Sequence, residues 1–523
     1  MKNQLLRSAT ILYILLPTFL FIYGWLKLPI AILLLIILAV FTAAILMDTF
    51  RTSANPSSFR INLKQAFSRD SISGAILVFL LIILWLSFSG VGGVGYQNTD
   101  YWANNALLKD LITQDWPVRV SLDGAQVPIV YYIAYYLPAS VIGKAFNWIY
   151  ANIAIFIWTL IGIMLAYAWF KNISRIVFKD KPIKSELLLV EIFCLAGGLD
   201  YIGYYLLNGN IPRVHIEMWA DLFEYSSNTT LIYWVPQHTV VSWLLIGMIV
   251  DALYNKQNLK HLGMVVVAGI IWSPFAIVGI MPYLLMTLFV YLSPRNRKYI
   301  FNWTSIIFNT LSIGFGVIYS LYIASNQFKF PIGFIWQFSE DTASLVFRIL
   351  FFVFLEFALL GFLTLLFIAL GTFRLNKTSF SRHNWPTLLG QEFDITPMQI
   401  YLFLISLGVL GILPLFNVGF YNDIVMRSSI ASLFIFWAFV AKVVADAGSR
   451  VKIRYKLVYS LISIILTLGF LTSFNEIARS VATYHFGPPA FSDVPTTTTV
   501  NEIEYNLQRV GDEDTVFYHY LSK

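Results

Sequence analysis

Cysteine is almost absent from this chain. The single Cys194 excludes an intrachain disulfide and a cysteine-ligated metal, and it sits in an apolar run where packing is its expected role. Charge is scarce as well: 12% of residues are Asp, Glu, Lys or Arg, against about a quarter in soluble domains. A soluble globule is thereby excluded, and no basic, aromatic-laced patch points to a nucleic-acid partner. There is no Walker loop, Rossmann glycine pattern or HExxH, so energy coupling by bound nucleotide is not expected. No internal repeat is evident, and the only low-complexity run is Thr496 to Thr499. Lys2 and Arg7 precede the apolar run Ile11–Tyr23, but no small-residue cleavage site follows, so the run reads as an uncleaved helix.

What is present is hydrophobic. Of the 523 residues 58% are hydrophobic, and mean hydropathy is +0.71. Runs near 20 residues suit helices crossing a hydrocarbon core of about 30 Å, and barrel strands would be half as long. The spans are read at 9–26, 29–48, 73–90, 149–170, 187–206, 234–254, 261–273, 276–292, 303–324, 345–372, 398–416, 428–447 and 457–474. The pair 261–292 is read as a hairpin broken at Trp272-Ser273-Pro274. The sequence therefore describes an all-α polytopic membrane protein of about 13 transmembrane helices with outer-face juxtamembrane helices. Residues 1–474 form the membrane domain, with outer loops at 90–148 and 207–233. Residues 475–523 form a short outer-face segment, too small for its own core.

Val127–Trp148 decides the topology. If it crossed, every later basic loop would face outside. Laid flat on the outer surface, it leaves 24 of the 35 Lys/Arg inside and 10 outside, with Arg348 in a span, and it places 17 of the 28 acids outside. Tyr131, Tyr132, Tyr135 and Tyr136 recur at i, i+4, which suits a helix at the membrane interface. The expected orientation is N-terminus cytoplasmic and C-terminus extracellular, in a plasma membrane. The inner basic loops are orientation signals first, with attraction to anionic membrane lipids second.

Four outer places concentrate polarity. In Gly90–Pro128, the stretch Thr99–Ile112 reads as a helix. Asp100 lies at its start, as an N-cap or as a catalytic carboxylate at the bilayer boundary, and Asn104 and Asp110 follow on it. The stretch Asn208–His238 carries Arg213, His215, Glu217, Asp221, Glu224 and His238. Asp200 precedes it near the outer end of a span, where a carboxylate needs water or a partner. His215 and Glu217 are two apart, on different sides of a helix, so a zinc site is not expected. Asn228-Thr229-Thr230 matches a glycan acceptor triplet of low specificity. In Phe416–Ser429, Asp423 and Arg427 sit at i, i+4 and either pair with each other or offer a forked donor to a phosphate. The fourth place, Lys329–Asp341 with Trp336, reads as an interfacial aromatic belt.

Asp100 in an early outer loop, then Pro128-Ile129-Val130-Tyr131-Tyr132 and Gly143-Lys144, resemble GT-C-fold membrane glycosyltransferases. Gly198-Leu199-Asp200-Tyr201-Ile202-Gly203, His215-Ile216-Glu217-Met218-Trp219, Tyr225-Ser226-Ser227-Asn228-Thr229-Thr230 and Asn422-Asp423-Ile424-Val425-Met426-Arg427 are similar to stretches of a largely uncharacterised group of bacterial polytopic membrane proteins. The likeness covers roughly residues 70–430. Three features depart from the usual pattern. Asp100 is followed by Tyr101 rather than a second acid, its loop follows the third span rather than the first, and no large C-terminal domain is present. The resemblance implies inverting transfer of a sugar from a polyprenyl-phosphate donor to a glycan, lipid or protein acceptor on the outer face, with Asp100 as general base. Asn104, Asp110, Asp200, Arg213, His215, Glu217, Asp221, His238, Asp423 and Arg427 would line the substrate site. The resemblance fixes no cofactor and is compatible with a divalent ion (Mg or Mn). The rival readings are a polymerase or ligase of lipid-linked glycans and a non-enzymatic transporter or flippase.

Overall fold

The structure is a computed structural model that describes residues 2–51, 69–122, 124–174, 182–210, 215–255, 259–372, 395–448, 456–499 and 508–523. Arg213, expected in the site, lies outside them, as do parts of the basic loops. The chain is mostly helical. Among the described residues, ten helices are long and apolar enough to cross a membrane, and three shorter apolar helices run over Ser73–Leu86, Leu259–Ile271 and Ile430–Ala445. The polytopic, all-α character expected from hydropathy is therefore present.

Position in the bundle follows hydropathy in a way peculiar to lipid solvent. Pro236–Tyr254 is the least hydropathic of the ten, at 1.2, yet 94% of it is buried, whereas Leu28–Asp48 reaches 3.2 and is 28% buried. A helix surrounded by other helices can carry Gln237, His238, Thr239 and Ser242, because its neighbours supply partners. A helix facing acyl chains cannot. Ser242 Oγ donates to His238 O at 2.7 Å and Thr239 Oγ1 to Leu231 O at 2.9 Å. Near the other end of the same helix Asp251 takes Arg7 Nη2 at 2.8 Å, a buried ion pair that ties the first helix, Lys2–Trp25, to the centre. Tyr13, Trp158 and Trp272 stack beside them, the first two with centroids 3.9 Å apart.

The break expected at Trp272-Ser273-Pro274 is present: Ser273 caps Pro274–Leu292 by accepting from Ala276 N. A second break falls inside the expected span 187–206. Pro182–Leu195 ends, residues 196–199 are not helical, and Asp200–Asn208 begins again. A third irregularity is a π-helical turn, Phe354–Ala358, in the middle of Thr342–Leu370.

Val127–Trp148 is not a long helix. Ala125–Pro128 pairs with Arg119–Leu122 as an antiparallel hairpin turning at Gly124 (φ +85°), and only Leu137–Ala145 is helical. Nine residues rise about 14 Å, too little to cross a bilayer. The four tyrosines are not an interfacial stripe. Tyr131, Tyr135 and Tyr136 are buried, because the segment packs under the C-terminal residues instead of lying on lipid. Val510 bridges Ile129, Gly511 N donates to Pro128 O at 2.8 Å, and Lys523 N reaches Trp25 O at 3.0 Å. The C-terminal segment is thus woven into the loop that carries the hairpin and onto the end of the first helix.

Candidate functional site

The helix expected at Thr99–Ile112 is observed at Asp100–Thr113. Its entry is organised by Asn98, whose Oδ1 accepts from Asp100 N at 3.0 Å while its Nδ2 donates to Tyr233 O at 2.9 Å. Asp100 is the first helical residue, one position inside the N-cap, Thr99, whose side chain makes no capping bond. The Asp100 carboxylate faces a cavity of about 240 Å³ lined by Thr99, Asp100, His215, Glu224, Arg427 and Trp234 among others. That volume is slightly below the about 300–1,000 Å³ usual for ligand pockets and suits a headgroup better than a whole lipid. A larger cleft of about 740 Å³, beside Trp148 and Phe491, is lined by apolar groups and carries no titratable side chain. Chemistry belongs in the smaller one.

Arg427 comes from the short helix Asp423–Ser428. Its Nη2 lies 2.9 Å from Asp423 Oδ1 and its Nη1 donates to Tyr132 Oη at 2.9 Å. Its guanidinium also rests over the Phe275 ring. Burial opposes its charge, but Asp423, the Tyr132 and Tyr131 phenols and Asp100 together push its pKa further up, so it is a permanent cation. The i, i+4 pairing of Asp423 and Arg427 is therefore present, and the arginine also lines the cavity. Tyr132 is half-buried, and desolvation, then the neighbouring Tyr131, hold its phenol well above the ordinary range.

His215 forms the opposite wall. Its Nδ1 is 2.9 Å from Glu476 Oε1 and its Nε2 3.9 Å from Glu224 Oε2. Burial disfavours the imidazolium, but the nearby Glu224 carboxylate, the hydrogen bond with Glu476 and the charge of Glu217 overcome it and hold His215 well above its usual value. Glu476 also accepts from Trp234 Nε1 at 3.2 Å and Arg479 Nη1 at 2.7 Å. Behind His215, Glu217 is fully buried. Its Oε2 takes Ser227 N at 3.2 Å and its Oε1 takes Thr230 Oγ1 at 2.6 Å. Burial, then the charge of Asp200, holds Glu217 well above the usual carboxylate range.

Residues 215–219 are not helical, so the argument that separated His215 from Glu217 by helical spacing does not apply. Ligand atoms of His215, Glu217 and Glu224 lie within 4.8 Å of one another. As arranged, the group does not fit a divalent ion. An imidazolium held between carboxylates already supplies the positive charge, and both Glu217 oxygens are committed to protein donors.

The remaining expected residues do not line the cavity. Asn104 Oδ1 and Ala103 O accept from the buried Arg509, and Asp110 Oδ2 accepts from Thr497 N at 2.7 Å, so both side chains fasten the C-terminal segment. Burial raises the Asp110 pKa against the opposing Thr497 bonds. Asp221, at φ +60°, pairs with Arg348. His238 is fully buried, with Nδ1 2.6 Å from Ser273 Oγ and its ring against Tyr132. Asp200 lies deeper, with Trp219, Thr472 and Glu356. Asn228, Thr229 and Thr230 are buried and therefore not a glycan acceptor. Asn228 N and Nδ2 and Thr229 Oγ1 bond Ala196, Phe193 and Cys194 carbonyls freed at the helix break.

Sequence reasoning placed Glu224 in the loop but outside the site, and it missed Trp234, Glu476 and Arg479. The last two fall beyond the expected end of the final span, whereas the helix Lys456–Ala482 continues past both. An uninterrupted helical spacing of Thr472, Glu476 and Arg479 was the signal available. Searches of protein-family models, of curated proteins and of solved structures give no match to this chain.

Proposed function

We propose that the chain is a membrane glycosyltransferase of GT-C-like architecture. It moves a sugar from a polyprenyl-phosphate donor to a glycan, lipid or protein acceptor on the outer face of the plasma membrane. In this reading the three shorter apolar helices cross together with the ten long ones, thirteen spans in all, with the N-terminus inside and the C-terminus outside; the apolar helices support it. The observation that carries this reading is one headgroup-sized cavity whose lining brings together Asp100, Arg427 and His215. A lipid-bound donor cannot leave the bilayer, so its reacting carbon must be met at the membrane boundary. Asp100 takes the proton of the acceptor hydroxyl as that oxygen attacks the anomeric carbon, which inverts the centre and frees the lipid phosphate. General-base help of this kind contributes about 10²–10⁴-fold. Arg427 and the His215 imidazolium stabilise the charge gathering on the departing phosphate. Arg427 is preorganised for this by Asp423 and Tyr132.

The test is transfer from radiolabelled polyprenyl-phosphate sugars in membranes containing the wild-type chain or Asp100→Asn. Transfer is expected to fall at least about 10²-fold in the variant, with unchanged insertion and thermal stability. Full activity of Asp100→Asn removes the general base and the reading with it. A second reading, a transporter or flippase of a lipid-linked headgroup, is favoured by the facing breaks at 196–199 and Phe354–Ala358, since interrupted helices mark many transport sites. It predicts movement of labelled donor across the bilayer with no covalent product.

A further inference from the structure

Two irregular stretches of membrane helix meet below the outer cavity, and each satisfies the other. The nonhelical turn at 196–199 presents Leu199 N, which bonds Leu355 O at 3.4 Å, a carbonyl beside the π-helical turn Phe354–Ala358. Gly198 allows this contact: a Cβ there would stand 1.8 Å from Glu356 Oε2 and 3.1 Å from Glu356 Cα. Gly469 allows the third helix to approach, since a Cβ there would stand 2.3 Å from Gly197 O. Gly203 seats the Trp219 indole, whose ring atoms a Cβ would meet at 2.6 Å. The glycines at 197, 198, 203 and 469 thus bring three helices and one loop onto a single spot.

Two carboxyl groups occupy that spot. Asp200 is fully buried and Glu356 is 3% exposed. Trp219 Nε1 donates to both, to Asp200 Oδ1 at 3.2 Å and to Glu356 Oε1 at 3.0 Å. Thr472 Oγ1 donates to Asp200 Oδ2 at 3.1 Å. One indole N–H between them thus holds the two carboxyls side by side. Glu356 Oε2 receives no donor from the protein. The titratable groups near the pair from the surrounding elements are Glu217, Glu224 and the Tyr225 phenol, all acids. Among the described residues no cation is named beside the pair, and two buried carboxylates so placed do not both stay ionised. A hydrogen bond between two carboxyls needs a hydron that neither Trp219 nor Thr472 supplies.

We propose that Asp200 and Glu356 form a proton-binding site at the junction of the two helix breaks, holding a single shared proton that fastens the breaks together. A bare proton fits better than a metal cation, because Glu356 Oε2 is pressed against Gly198 with no room for an ion between them. The site is tied to the outer cavity by covalent neighbours. Trp219 lies on the same loop as His215 and Glu224, and Thr472 lies one helical turn before Glu476, the partner of His215. Loss of the proton sets two like charges against each other, parts the breaks and withdraws both His215 supports. The cavity wall and the buried proton are therefore linked. This inference is independent of sugar transfer and stands equally if the chain moves its ligand without chemistry.

Infrared spectroscopy of the chain in lipid nanodiscs at neutral pH reads buried protonated carboxyls directly through their C=O band, which shifts slowly on exchange into D₂O. Wild type is expected to show the band, and its absence overturns the proposal with no variant needed. Asp200→Asn, Glu356→Gln and the double variant are each expected to lose the same single carboxyl, while Glu217→Gln keeps it. Loss of two carboxyls in the double variant means separate protons, and no loss in any of them means the band arises elsewhere; either refutes a shared proton. Replacing choline by Na⁺ is expected to leave the wild-type band unchanged. Its disappearance in Na⁺ would make the pair a cation site instead.

Discussion

Gly198→Ala tests the packing of the helix junction directly. A methyl group at this position overlaps Glu356 Oε2 at 1.8 Å and Glu356 Cδ at 2.6 Å. Glu356 cannot simply turn aside, because its Oε1 is held by Trp219 and its surroundings are closed. Overpacking of a filled interior costs about 1–3 kcal/mol, and leaving a buried polar partner unsatisfied costs about 1–3 kcal/mol more, so about 2–6 kcal/mol is expected. The assay is thermal unfolding of the purified chain in detergent, compared as a shift in apparent Tm because unfolding of a large polytopic chain is not a two-state event. The same substitution in a Glu356→Ala background meets only the Cα at 3.1 Å, and its cost should shrink. Gly408→Ala, with nothing within 4 Å of the added carbon, should stay within about 0.5 kcal/mol. A Gly198→Ala chain as stable as wild type, or equally destabilised in both backgrounds, would refute the contact.

The His215 ion network predicts a pH dependence. Folding raises the His215 pKa, so its contribution is fully present below the ordinary imidazole value of about 6.5 and is lost as pH rises through the raised folded value. Wild type should therefore lose thermal stability on the alkaline side of neutral, and His215→Gln should be less stable at pH 6 with a flatter profile above it. A profile unchanged by His215→Gln would assign the titration elsewhere. Arg509 is buried, bonded to Ala103 O and Asn104 Oδ1, and stacked on Tyr131 with its carbon 4.5 Å from the ring centre. Arg509→Ala should cost about 2–4 kcal/mol and expose the residues after 507 to limited proteolysis, read by mass spectrometry.

The helices were legible in the sequence because hydrocarbon imposes one requirement on every exposed residue. Apolar runs of the right length must become helices when no water can satisfy the backbone. The two proline-serine and glycine interruptions divide on the same ground. Ser273-Pro274 is a local stop signal and was read as one. Gly197-Gly198 sits in a run apolar enough to continue, and its break exists because Asn228, Thr229 and Leu355 from elsewhere in the chain supply the missing partners. Val127–Trp148 was rightly withheld from the spans by charge counting, but its tyrosines were misplaced. Their helical spacing is overridden by a hairpin and by the returning C-terminal residues.

Within the candidate site, the residue types and their neighbourhoods could be named from sequence, and the partition among them could not. Asp100, His215 and Arg427 share a cavity, Asn104 and Asp110 hold the tail, and Asp200 joins Glu356 from a span 156 positions away. Such contacts are set by which glycines let helices approach and by which buried donors remain to be satisfied. Both are properties of the packed bundle, with no trace in local spacing. By itself the sequence determined the solvent, the helical class and where polarity gathers along the chain. Only the tertiary structure decided which of those polar groups line a cavity, which brace the fold and which meet one another in the interior, because burial and charge act through space rather than along the chain.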